Sequence, residues 1–134
     1  MPAAKSETLP VTNEADIVRV RQTVRTWANE QGFSLVNQTK IVTAASEIAR
    51  NTVTYGGGGN VRLEALNDAE RRGLRLVFED QGPGIDSIEL ALRDGYTTGG
   101  GLGLGLGGAK RLCNEFSIDS ARGKGTRITL TKWS

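Results

Sequence analysis

Residues 74–85, LRLVFEDQGPGI, run an alternating segment into a glycine-proline turn with a carboxylate at the junction. Leu74, Leu76 and Phe78 recur with period two, the pattern of a strand with one buried face. After Asp80 the chain turns through Gly82, Pro83 and Gly84. A buried carboxylate at a strand end can accept from an amino group such as the exocyclic amine of adenine. Gly84, without a side chain, lets a flat ring approach the backbone. Taken alone the stretch is an ordinary Gly-Pro turn, and its neighbours decide between the two readings.

Upstream, NVRLEAL (60–66) alternates in the same way, and NDAERRG (67–73) between the two runs predicts a hairpin. A short extended piece over Glu7–Val11 opens the chain, with Pro10 favouring an edge position. Ile17, Val20, Val24, Trp27 and Ala28 have helical spacing from Asp16 to just before Gly32. A second helix is expected from Ser34 or Asn37 to Tyr55, with the stripe Ile41, Ala44, Ala45, Ile48 and Thr52, stopped by GGGG at 56–59. Downstream, Asp86 caps a short helix over Ser87–Leu92, and a further helix runs through GAKRLCNEF (108–116). SIDSA (117–121) and TRITLTKW (126–133) are closing strands joined by RGKG. Helices first and strands after predict one α+β domain over residues 1–134. It is a two-layer sandwich with helices packed on one face of a mixed, mostly antiparallel sheet.

Bulk composition removes whole classes of function. Net charge is +2, too balanced for a nucleic-acid or membrane surface. There is no histidine and a single cysteine, Cys113, so zinc sites, histidine bases and Ser-His-Asp triads are absent together. Cys113 reads as a small buried hydrophobe. The N-terminus MPAAKSETLP lacks a signal-peptide run and no apolar stretch reaches transmembrane length, so a soluble cytoplasmic protein is expected.

Two further stretches carry possible chemistry. Glu47 and Asn51 are four residues apart on the second predicted helix and share a face. Asn51 falls roughly 80° and Glu47 roughly 120° from the buried stripe, so both border the core rather than sit in it. An amide oxygen there can bind a hard cation and a glutamate can take a proton; a solvated pair near a helix end has the same spacing. GGGLGLGLGG (99–108) places Leu102, Leu104 and Leu106 among seven glycines and leads directly into a helix. Bare backbone N–H groups before a helix N-terminus suit polyphosphate, and the leucines mark a flap that docks rather than a slack linker. GKGT (123–126) is not a P-loop, and the glycines at 103, 105 and 107 do not follow a strand as a dinucleotide fold requires.

Four stretches in order carry a resemblance: EIARN (47–51), EDQGPGI (79–85), the glycine-rich segment with its helix (98–112) and GKGTRITL (123–130). They resemble the N, G1, G2 and G3 boxes of the GHKL ATP-binding, or Bergerat, fold shared by gyrase and the sensor histidine kinases. DQGPGI, YTTGGGLGLGLGGAKRL, EFSI and the terminal KW resemble more narrowly the RsbT-type switch kinases of bacterial stressosomes, relatives of the anti-sigma kinase SpoIIAB.

The resemblance implies that Asp80 holds the adenine amine, Gly82 and Gly84 shape the pocket, and Thr126 bonds the ring directly or through water. It makes Asn51 the ligand of Mg²⁺ bridging the ATP phosphates and Glu47 the acceptor of the attacking hydroxyl's proton. A lid over roughly Thr97–Leu106 would close on the phosphates through Thr98, Gly101, Leu102, Gly103, Leu104, Gly105 and Leu106, with Lys110 helping to neutralise them. Where the SpoIIAB branch places a lid arginine, this chain has Gly99–Gly101, which leans away from capture of a sigma factor.

Two functions follow from the resemblance. One is a Mg²⁺-ATP-dependent serine/threonine protein kinase that phosphorylates a STAS-domain partner and, once released, activates a PP2C-type phosphatase. The other is a nucleotide-gated binding module, an anti-sigma factor or phosphatase activator with little or no kinase activity.

Overall fold

The computed structural model describes residues 3–68, 70–84 and 106–134. In chain order these form β1 (Ala3–Val11), α1 (Glu14–Glu30), α2 (Leu35–Thr54), β2 (Gly59–Asn67), β3 (Arg72–Asp80), α3 (Leu106–Leu112), β4 (Glu115–Ser120) and β5 (Thr126–Trp133). The predicted helix over Ser87–Leu92 and the glycine-rich lid up to Gly105 lie outside the described residues.

Both long helices start where a side chain satisfies an otherwise orphaned backbone donor. Asn13 caps α1 by accepting from Asp16 N at 2.9 Å, and the Asp16 carboxylate reaches back to accept from Thr12 N (2.9 Å) and Thr12 Oγ1 (2.6 Å). Ser34 caps α2 by accepting from Asn37 N at 3.1 Å. The predicted stripes of both helices are buried, and Val42 and Ala49 widen that of α2.

The strands form a single sheet of order β1-β2-β3-β5-β4, antiparallel at every described pairing. Pro10 does lie on an edge strand, β1, opposite Asn60. The hairpin between β2 and β3 is in the register Leu63↔Leu76 and Gly59↔Asp80. That register aligns Val61, Leu63, Leu74, Leu76 and Phe78 on the face covered by the helices, where Ile128 and Leu130 of β5 join them in one core. Helices on one side of an antiparallel sheet make the α+β sandwich that the sequence predicts.

The predicted helix over 108–116 is displaced. It begins earlier, at Leu106, and stops at Leu112, while Glu115 and Phe116 already belong to β4. Asn114 causes the change: its N–H donates to Thr131 O at 2.9 Å and its side-chain oxygen accepts from Trp133 N at 2.8 Å. Those bonds pull the chain onto β5 one turn before the helical spacing runs out.

Candidate functional site

The end of α2, the end of β3 with its turn, the start of β5 and the start of α3 converge on one cleft. Asn51, Tyr55, Asp80, Gly84, Leu106 and Thr126 are among its lining residues.

Asp80 is half-buried at the base of the cleft, and its Oδ1 accepts from Gly82 N at 2.9 Å. Burial pushes its carboxyl above the ordinary aspartate value, against the opposing pull of the Gly82 and Thr126 backbone N–H groups. Its surroundings admit little else. A Cβ on Gly56 would overlap the Asp80 carboxyl, and one on Gly82 would come within 2.7 Å of Gly56 Cα. Gly84, with φ of +79°, is pressed against the carbonyl of Ala121, so its bareness also serves packing against the turn between β4 and β5. Thr126 stands directly across the ladder from Asp80, with Oγ1 2.9 Å from Ser120 Oγ.

Asn51 lines the cleft from α2, and its Nδ2 is buried with no hydrogen-bond partner among the described residues. The hydroxyl of Tyr55, one turn later, is likewise buried with no partner among the described residues. Both residues line the same cleft. Glu47 sits one turn before Asn51 and, like it, is half-buried at the border of the core. It opens onto an adjacent groove between α1 and α2, shared with Arg21, Arg25 and Thr43.

The structure thus brings Asn51, Asp80, Gly84, Leu106 and Thr126 together, with Gly82 packed behind them. It sets Glu47 on the neighbouring groove and leaves Lys110 exposed, away from the cleft lining. Thr98, Gly101, Leu102, Gly103, Leu104 and Gly105 lie outside the described residues. Tyr55 and Gly56 are lining residues that the sequence reading missed. The available signal was the four-residue step from Asn51 to Tyr55 on one helix face. Burial pushes the Cys113 thiol up to about 11, consistent with an inert, partly buried side chain.

Among the described residues no cluster of three or more His, Cys, Asp or Glu is placed to hold a metal on its own, and no helix is long and apolar enough to cross a membrane.

A carboxylate and a threonine at paired strand ends thus share one cleft with an asparagine on the facing helix, in an α+β sandwich. The chain belongs to the histidine kinase-like ATPase domain family, which its residues 9–132 match. Among its relatives, the serine/threonine-protein kinase RsbT of Bacillus subtilis (strain 168) is 48% identical over 123 residues, 92% of each chain. An anti-sigma F factor of Clostridium kluyveri is 30% identical over 118 residues, 84% of this chain and 82% of the relative. In three dimensions the chain is similar to the RsbU and RsbW domains of Rv1364c from Mycobacterium tuberculosis. The TM-score is 0.62 at 25% identity, over 98% of this chain and 32% of that one.

Proposed function

We propose that the protein is an ATP-dependent serine/threonine protein kinase of a partner-switching stress module, acting in the cytoplasm. Its substrate is a serine or threonine on a STAS-domain protein, and the kinase freed by that reaction activates a PP2C-type phosphatase. The observation that carries this reading is the pairing of two compartments on one helix. Asn51 faces the cleft that holds Asp80, while Glu47, one turn away, faces an open groove. A nucleotide in the first and a protein hydroxyl entering by the second would meet across that turn of α2.

The donor set fits magnesium. Of the Asn51 amide, Nδ2 is buried without a partner among the described residues, and a half-turn of the amide would set its oxygen, a magnesium ligand, in that place. Mg²⁺ characteristically takes one or two protein oxygens and completes its shell with phosphate oxygens and water, as this site requires. When bound, the ion would neutralise charge on the phosphates. Phosphoryl transfer asks little else of the protein beyond positioning and a base for the hydroxyl proton. Glu47 is the only carboxylate among the described residues that line the groove. Arg21 and Arg25 give the same groove a positive rim suited to an acidic partner surface.

Transfer of label from γ-labelled ATP to a STAS-domain protein tests the proposal. Mg²⁺-dependent labelling of a serine or threonine is expected; tight nucleotide-dependent capture of a partner with no labelling would replace the kinase by a binding module. The 30% identity to an anti-sigma F factor is the observation that favours this second reading.

A further inference from the structure

Ser120 lies outside the cleft and acts on it through one neighbour. It ends β4 and lines a polar groove at the ends of β3, β4 and β5, whereas Thr126 lines both that groove and the cleft. The Ser120 Oγ donates to Gly125 O at 2.8 Å and lies 2.9 Å from Thr126 Oγ1. A carbonyl oxygen only accepts, so the bond to Gly125 spends the one proton that a serine hydroxyl has. In the contact between the two hydroxyls, Ser120 is therefore the acceptor and Thr126 the donor. The single hydroxyl proton of Thr126 points away from the cleft, and the cleft meets its lone pairs.

Asp80, directly across the ladder from Thr126, is oriented in the same sense. Its carboxylate accepts from Gly82 N at 2.9 Å and from the Thr126 backbone N–H, and its remaining lone pairs are left for a ligand. Two acceptors thus stand side by side at the paired strand ends. We propose that Ser120 is a positioning residue for base selection: by holding the Thr126 proton it keeps Thr126 an acceptor, so that Asp80 and Thr126 together take the two N–H groups of the adenine amine, directly or through water. A 6-oxo purine presents a carbonyl oxygen at that place and meets acceptors on both sides. The inference rests on the nucleotide reading of the cleft.

Calorimetric titration of wild type, Ser120→Ala and Ser120→Thr with ADP and with its 6-oxo counterpart IDP tests it. Ser120→Ala releases the Thr126 hydroxyl, which can then turn and donate to the purine oxygen. The ratio of ADP to IDP affinity is expected to fall about three- to tenfold, the size of one neutral hydrogen bond. Ser120→Thr keeps a hydroxyl in place and is expected to keep the wild-type ratio. Loss of the bond to Gly125 destabilises Ser120→Ala whatever its part in selection, so the ratio is the readout and the melting temperature is not. In a Thr126→Val background, Ser120→Ala should leave the ratio unchanged. A ratio in Ser120→Ala that holds or rises, a fall that Ser120→Thr shares, or a fall of equal size without the Thr126 hydroxyl overturns the proposal while leaving the nucleotide site intact. Should Ser120→Ala not fold, Thr126→Val decides: a larger loss for ADP than for IDP supports an acceptor at Thr126, and an equal or larger loss for IDP overturns it. Failure of the wild type to bind ADP at all overturns the site itself.

Discussion

Gly56 and Asp80 are in such close approach that no side chain fits between them: a Cβ on Gly56 would lie inside the Asp80 carboxyl. The end of α2 and the end of β3 therefore meet backbone to side chain, and the carboxylate is wedged into one orientation. Gly56→Ala must push Asp80 aside or lift the last turn of α2. The expected result is a loss of about 1–3 kcal/mol of stability, as for other overpacked sites, and a loss of ATP affinity of at least tenfold. Melting curves and calorimetry on the same preparation check both.

Asp80 itself trades stability for binding. Burial holds its pKa above the ordinary aspartate value, so the folded state carries the charge less willingly than the unfolded chain does. Ionised Asp80 accordingly subtracts stability above its raised pKa, and the deficit disappears as the pH falls through it. Asp80→Asn is expected to melt no lower than the wild type at neutral pH and yet to lose adenine nucleotide binding. In the wild type, ATP affinity should fall on acidification at a higher pH than an ordinary aspartate would give. A drop in melting temperature on Asp80→Asn would show that the carboxylate serves the fold instead.

Gln31 shows the opposite division of labour. Its Nε2 donates to Gly73 O at 2.9 Å and Leu66 O at 3.0 Å, and lies 3.1 Å from Asn67 Oδ1, clamping the end of the β2–β3 hairpin to the end of α1. Gln31→Ala strands two buried carbonyls and is expected to cost about 2–3 kcal/mol in chemical denaturation, with nucleotide affinity unchanged in the protein that remains folded. Equal stability would mean that water replaces the amide.

These residues mark where the sequence was legible. The stripes of α1 and α2, the β2–β3 hairpin and the edge position of Pro10 follow from local periodicity and backbone chemistry, and all stand in the structure. Asp80 and Asn51 stand out in their own stretches and Thr126 only through the resemblance of four stretches in order, and the fold brings all three to one cleft. Gln31 was not: between Glu30 and Gly32 it reads as an exposed helix end, and its partners lie 35–42 residues away. The early end of α3 was hidden for the same reason. Asn114 is set by its bonds to β5, a pairing that no local pattern announces. Tyr55 reads as the last residue before a glycine stop. Only the packing of the fold shows that its hydroxyl is buried without a partner among the described residues.

Glu47 and Asn51, one turn apart, should separate cleanly by experiment because they face different compartments. Glu47 lines the groove rather than the cleft, so Glu47→Gln should bind ADP and ATP as the wild type does, with and without Mg²⁺. Transfer to the protein acceptor should fall by about 10²–10⁴-fold, the contribution of a positioned general base. Asn51→Ala should lose the part of nucleotide affinity that Mg²⁺ adds, while keeping the metal-independent part that Asp80 and the cleft walls supply. Calorimetry in Mg²⁺ and in chelator, beside single-turnover transfer, gives both numbers for each variant. Transfer at the wild-type rate by Glu47→Gln would remove Glu47 from the chemistry. An Mg²⁺ contribution that survives in Asn51→Ala would place the ion elsewhere on the phosphates, held without help from α2.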